Sequence, residues 1–409
     1  MSSGGRLDSW KAIAEYLGRD RTTVMRWKRT AGLPVRRVAG AKRGSVFAYK
    51  EEVDTWLEGR AAEPDEPVAP RLQRFTPRGA RIALAAGIVL LTLSGLAIAR
   101  IWAVSPNLAS ASLAGEDLVA LDARGREAWR YRLPHVDGGI VLTRSIVTDV
   151  TGDGHFDVVA AVHFMGRGGH AYGRVMLFDH HGRLRWERSL EDRYRFGEVD
   201  YGPSWFPEDV VVYRAGEAIR IAVANHHHTW WPSVIATYDA DGTVLHRFVH
   251  QGWLRSVNVT KDGRYLLAAG ISNAFDGAAL AILDTARPEG TAPADGGTLP
   301  SCGNCPAGAP LAYFMMPWAD VARRSDTPPA VAHVMDSGGI EWRAAQHAVV
   351  DGKVPEVIVT LSRDLQVLQR SVNDYLVEAR AALRTGGSTA EPPIRKWTPT
   401  VGWVDASAP

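Results

Sequence analysis

The apolar pattern changes character twice along the chain. At the start, Trp10, Ile13, Ala14 and Leu17 fall on one stripe, the spacing of a short amphipathic helix. Ser9 or Asp8 can cap it, Gly18-Arg19 makes a turn, and Asp20 can cap a second helix over Arg21–Arg29 with Val24 and Trp27 inward. Val35-Arg36-Arg37-Val38 and Val46-Phe47-Ala48-Tyr49 alternate on either side of a basic glycine-rich tip, which predicts a hairpin. A third helix is predicted over Lys50–Leu57, with Val53, Trp56 and Leu57 inward. The pattern then breaks at residues 61–77, where prolines recur and large apolar residues are few, the composition of an extended tether.

The second change is an uncharged run from Ile82 to Ala99. At about 1.5 Å per residue, a helix of that length crosses most of a bilayer core about 30 Å thick. Arg71, Arg74, Arg78 and Arg81 precede it, so the positive-inside bias puts the N-terminus in the cytoplasm and the C-terminal part outside it.

From Val104 onward short strand-like segments recur. LVALDARGREAWRYRL, VMLFDHHGRLRWERSL and IATYDADGTVLHRFV each read strand, turn, strand, with turn glycines Gly125, Gly182 and Gly242 spaced 57 and 60 residues apart. TGDGHFDVVAAV, RAGEAIRIAVAN, TKDGRYLLAAGI and VDGKVPEVIVTL form a second recurring pattern. Repeats at this spacing predict a β-propeller of about five to seven blades, with a β-sandwich pair as the alternative.

The expected fold class is therefore multidomain: a small α(+β) winged helix-turn-helix at 1–60, a Pro-rich linker at 61–80, a single transmembrane helix within 81–104, and an all-β propeller at 105–409 interrupted by a Gly/Pro-rich insertion at about 286–310. Charge sharpens this division. The chain is +2 overall, but residues 6–49 hold eleven Lys/Arg against three Asp/Glu. A basic module suggests a polyanion partner, and double-stranded DNA is the expected one. Arg21, Thr22, Thr23, Arg26, Lys28 and Arg29 on the second helix, and Arg36, Arg37, Lys42 and Arg43 on the hairpin, are the candidate DNA contacts.

The stretch SWKAIAEYLGRDRTTVMRWKRTAGLPV…GSVFAYKEEVDTWL resembles the winged helix-turn-helix of the excisionase/MerR-like group over residues 6–58. The resemblance implies DNA binding through the second helix and wing. The long dimerisation helix of full MerR regulators is missing, so their mechanism is not implied. One module reads one half-site, so a homodimer is among the expected assemblies.

Asp149-x-Thr151-Gly152-Asp153-Gly154-His155-x-Asp157 sets oxygen side chains at alternating positions of a tight loop, with the His155 carbonyl as a further ligand, a pattern suited to Ca²⁺. It resembles the calcium loop of FG-GAP/VCBS propeller repeats, except for Thr151, and a structural Ca²⁺ is the expected cofactor. His226, His227, His228, Trp230 and Trp231 follow a strand and are candidate ligand residues; with His163, His170 and His250 in the repeat pattern they could form a transition-metal or ligand site, although consecutive strand residues point apart. Cys302 and Cys305, the only cysteines, read as a small disulfide loop. No nucleophile elbow, P-loop, HExxH or Rossmann glycine motif occurs. The expected function is a membrane-anchored, one-component transcriptional regulator in the inner membrane, not an enzyme, whose propeller senses an unidentified extracytoplasmic ligand or protein. The rival reading is an extracytoplasmic propeller enzyme or a protein- or carbohydrate-binding module with a cytoplasmic regulatory domain.

Overall fold

The computed structural model describes residues 5–37, 45–61, 107–167, 171–227, 231–294, 299–318, 330–335, 337–345, 352–382 and 393–406. The chain divides into two compact units, Met1–Leu96 and Ala97–Pro409.

In the first unit, α1 (Trp10–Tyr16) begins at Ser9, whose hydroxyl accepts from the Ala12 amide, and α2 (Arg21–Thr30) begins at Asp20, which accepts from the Thr23 amide. Strands β1 (Arg6–Leu7), β2 (Arg36–Arg37) and β3 (Val46–Tyr49) form a sheet in the order β1-β3-β2, and α3 spans Lys50–Ala61. Leu7, Ile13, Val24, Leu33, Val46 and Val53 close a small core.

The second unit is built of five successive antiparallel sheets. The first contains β4 (Leu108–Ala114), β5 (Asp117–Asp122) and β6 (Glu127–Arg132). The second contains β7 (Ile140–Thr148), β8 (Asp157–Phe164), β9 (Tyr172–Phe178) and β10 (Leu184–Arg188). After a hairpin of β11 (Tyr194–Phe196) and β12 (Val199–Tyr201), the third sheet contains β13 (Trp205–Ala215), β14 (Ala218–His227), β15 (Ser233–Tyr238) and β16 (Val244–His250), joined in parallel by β20 (Gly290–Thr291). The fourth contains β17 (Gly252–Val259), β18 (Tyr265–Ser272), β19 (Gly277–Asp284), β21 (Ala312–Pro317), β26 (Arg395–Thr398) and β27 (Gly402–Asp405). The fifth contains β22 (Val331–Val334), β23 (Ile340–Ala345), β24 (Glu356–Leu361) and β25 (Val367–Val372), with α4 (Asp374–Ala382) following it. The first strands of successive sheets touch in the order β4, β7, β13, β17, β22, which makes the array propeller-like.

The apolar runs of the second strands follow from this stacking. On β8, Val158, Ala160 and Val162 pack toward the first sheet, while Val159 and Ala161 pack toward the third. On β14, Ile221 and Val223 face back and Ala222 and Ala224 face forward; on β18 the same split separates Leu266 and Ala268 from Leu267 and Ala269. Both faces of a middle sheet are buried, so alternation gives way to continuous hydrophobicity. The repeating turn glycines have a related cause. Gly182 and Gly242 have φ of +78° and +77°, and a Cβ on either would lie 2.7 Å from Trp129 or Trp186 of the preceding sheet. Each of these tryptophans stands four residues after its own sheet's turn glycine, so one sheet's indole covers the next sheet's turn. Trp186 also donates through Nε1 to the Ala240 carbonyl at 2.9 Å.

The multidomain expectation needs correcting. The described residues are predominantly β, and none of their helices is long and apolar enough to cross a membrane. The longest, α3, has 12 residues and carries Lys50, Glu51, Glu52 and Asp54. The run 82–99 lies outside the described residues, as does most of the linker. With no membrane-crossing helix among the described residues, the expected single-pass topology and inner-membrane location are not carried forward.

The DNA-reading assignment is corrected as well. The three helices occur where the periodicity placed them, yet several of the expected contacts are engaged within the unit. Thr23 donates its amide and hydroxyl to the capping Asp20 carboxylate, Lys28 Nζ donates to the Val35 carbonyl at 2.8 Å, and Arg36 pairs with Glu52 at 2.7 Å. Arg21, Thr22, Arg26, Arg29 and Arg37 are exposed, while Lys42 and Arg43 lie outside the described residues. The count of basic residues therefore overstates the charge available to a polyanion.

Candidate metal centre

The site grows out of a repeated irregularity. In three successive sheets the first strand carries a β-bulge at one register position: between Leu142 and Arg144 in β7, between Pro207 and Asp209 in β13, and between Leu254 and Ser256 in β17. The extra residues are Thr143, Glu208 and Arg255. A bulge re-aims a side chain that the pleat would otherwise place elsewhere. It also explains how Pro207, which lacks a ladder donor, is accommodated inside a long strand. One residue before each bulge pair, Val141 faces His163, Phe206 faces His226 and Trp253 faces Ile271. His163 and His226 thus occupy the same position on the second strands of neighbouring sheets.

Glu208 meets them there. One ligand atom from each of His163, Glu208 and His226 can be chosen so that all lie within 4.8 Å of one another, and this is the only such His/Cys/Asp/Glu group among the described residues. Glu208 Oε1 is 2.8 Å from His226 Nε2, and the other ring nitrogen, Nδ1, is 2.7 Å from the His227 carbonyl oxygen. His163 donates through Nε2 to the Pro207 carbonyl at 2.8 Å, which leaves the lone pair of its neutral ring on Nδ1. The same carbonyl accepts from Thr143 Oγ1 at 2.7 Å. The rings are packed by Phe206, stacked on His226 at 5.6 Å and edge-on to His163 at 5.1 Å, and by Trp253, tilted against His226 at 5.7 Å.

Burial pushes the His163 imidazole below its ordinary range, so it is neutral at neutral pH. For Glu208 burial works upward, but the hydrogen bond and charge of His226, with smaller help from His163 and Arg255, bring the carboxyl below its usual value. A neutral His163 and an ionised Glu208 are the protonation states that metal ligation requires of these two groups. Two imidazoles and a carboxylate suit zinc or non-haem iron(II) better than calcium or magnesium, which prefer oxygen alone.

The expected calcium loop is held by hydrogen bonds of its own. Asp157 is buried and its Oδ2 accepts from the Val150 and Thr151 amides, both at 3.0 Å, and from the Thr151 hydroxyl. Asp149 accepts from the Gly152 and Gly154 amides, and Asp153 from the His155 amide. These bonds close the turn but leave Asp157 Oδ1 buried without a partner, and the three carboxylates form no metal-capable group among the described residues. The metal-capable group lies elsewhere in the same sheet and its neighbour.

Of the other candidates, His227 points away from His226, its ring edge-on to Tyr201 at 5.4 Å and Trp205 at 5.5 Å. Trp231 packs on Phe196 and Tyr201, while His170, His228 and Trp230 lie outside the described residues. Cys302 and Cys305 form a disulfide beside β11, where Cys302 bridges Phe196. Sequence reasoning missed Glu208. Its signal is the Pro-Glu-Asp interruption of an otherwise regular strand, which marks a bulge one position past the residue that pairs with a histidine.

No family model matches this chain, and no curated protein matches its sequence. The resemblances to excisionase/MerR-like and FG-GAP/VCBS families are therefore not upheld. Among solved structures, two point variants of a Synechocystis apocarotenoid oxygenase align with 64% and 63% of this chain and 68% and 67% of theirs, at 13% identity and TM-scores of 0.28 and 0.27. An ACO/RPE65 chimera aligns with 64% of this chain and 68% of its own at 11% identity and a TM-score of 0.26. Superposition that loose carries neither fold nor function across.

Proposed function

We propose that the propeller-like unit holds a single divalent transition-metal ion between His163, Glu208 and His226 and acts as a metal-dependent enzyme. The supporting observation is the environment of His226. Its ring is buried, and both nitrogens face oxygen acceptors, the Glu208 carboxylate and the His227 carbonyl. A neutral imidazole has one donor and one acceptor, so it satisfies only one of these contacts. A cation between Nε2 and Glu208 resolves the conflict, and the Nδ1 bond to the carbonyl then becomes the contact that orients a metal-bound histidine. Without metal, the arrangement needs an imidazolium–carboxylate pair taken out of water, at a desolvation cost of several kcal/mol per ion. Three protein ligands leave coordination positions open, and an ion so held supplies Lewis acidity or an activated water.

Titration of the metal-free full chain with Co²⁺ and Zn²⁺ tests the reading. One equivalent should bind, and cobalt should develop visible absorption of a nitrogen-ligated site. His163→Ala and Glu208→Gln should each lower affinity by roughly tenfold to a hundredfold or more. Absence of stoichiometric binding, or affinity indifferent to both substitutions, would leave the cluster as a buried ion pair and remove the proposal.

A further inference from the structure

The third bulge residue extends the site. Arg255 stands where Glu208 stands on the preceding sheet and Thr143 on the one before, so three equivalent bulges present a hydroxyl, a carboxylate and a guanidinium in succession. The strands carrying the last two, β13 and β17, are in contact. Arg255 Cζ sits 6.0 Å from the centre of the Trp253 ring, and Trp253 in turn lies against His226. Arg255 is exposed and joins no salt bridge among the described residues. The neighbouring cation Arg144 differs, since it lies 3.6 Å from Asp209. Arg255 is thus a cation held beside the centre by an indole, without an acid of its own.

We infer that Arg255 receives a carboxylate of the substrate, which is a small organic acid whose apolar body lies against Trp253. This rests on the metal reading above. A divalent ion with one carboxylate ligand keeps a net positive charge, and Arg255 adds a second. An anion entering the site is therefore attracted from both sides. A guanidinium matches the two oxygens of a carboxylate with parallel hydrogen bonds, while the aromatic surface favours a flat or apolar remainder. Arg255 is a specificity residue in this scheme, since it binds the substrate and leaves the metal to the other three.

The test uses the Co²⁺-loaded full chain with benzoate as the probe, followed by calorimetry and by the cobalt absorption. Benzoate should bind and perturb the cobalt spectrum, and benzyl alcohol should not. Arg255→Gln should weaken benzoate by roughly tenfold or more while leaving Co²⁺ affinity within about threefold, because only a charge-assisted contact is lost. Arg144→Gln should leave benzoate affinity unchanged. Equal benzoate affinity in wild type and Arg255→Gln, or no benzoate binding to the loaded protein, overturns the inference while the metal reading stands. Inorganic phosphate binding better than benzoate overturns the carboxylate assignment. Failure of Co²⁺ to bind wild type removes the metal reading, and this inference with it.

Discussion

His250 makes the stability of the propeller-like unit depend on pH in a calculable way. The side chain is fully buried on β16, and its Nε2 lies 2.8 Å from the hydroxyl of Tyr313, itself buried on the next sheet. Burial pushes the imidazole from 6.5 down to about 4. The unfolded chain therefore takes up the proton first as pH falls. Stability from this group is complete above about pH 6.5, declines between there and about pH 4, and changes no further below. At about 1.4 kcal/mol per pH unit, the loss across that window is about 3 kcal/mol. Other groups titrate over the same range, so the useful quantity is a difference. His250→Gln keeps an amide donor for Tyr313 and removes the titration. Urea unfolding of both full-length proteins, followed by tryptophan fluorescence at pH 7, 6, 5 and 4, should show wild type losing about 3 kcal/mol more than the variant. A gap between the two that stays constant from pH 7 to 4 would refute the argument, and with it the claim that His250 is held neutral by burial.

Two further outcomes test the packing between sheets. Gly182→Ala and Gly125→Ala both place a side chain at positive φ, which costs about 1 kcal/mol. Only Gly182 has an indole 2.7 Å from the new methyl, whereas nothing lies within 4 Å of Gly125. Gly182→Ala should therefore lose an additional 1–3 kcal/mol or so in urea unfolding, and equal losses would contradict the indole-on-turn contact. Asp209 Oδ2 accepts from the Val257 amide of the neighbouring first strand at 3.0 Å, and Oδ1 from its own neighbour Val210. Asp209→Ala should cost about 1–3 kcal/mol by orphaning the Val257 amide, and an unchanged midpoint would argue against that cross-link.

Much of the local structure was legible. The caps Ser9 and Asp20, the stripe on α1 and the turn glycines follow from short-range rules, because the partners of each residue lie a few positions away. The recurring glycines at 125, 182 and 242 disclosed a repeat, though not the indole of another sheet that requires two of them. The charge reading of the N-terminal unit failed where it ignored tertiary partners: Lys28 is turned to a carbonyl seven residues on, and Arg36 to Glu52 across the unit. The loop ending at Asp157 carries the residue types of a calcium site, but its amides compete for the same oxygens, and composition does not reveal which wins. The His/Glu group was legible in its histidines, while Glu208 was hidden for a different reason. The group's members are 45 and 18 residues apart in sequence and meet only through two ladders and a bulge, and a bulge shifts every later side chain in its strand by one place.

That bulge has a consequence for how such a centre can arise. His163 and His226 sit at one register position in two copies of the same structural unit, and Glu208 is the first-strand extra residue of the second copy. No single copy contains the cluster. The first contributes one member and the second two, and the group exists only at the seam where they adjoin. Transplanting either sheet alone would carry an inert fragment, whereas shuffling the order of otherwise intact sheets would abolish the cluster without altering any one of them. At the next seam Ile271 takes the histidine's place and Arg255 the glutamate's, so the same scaffold presents a different chemistry one step around.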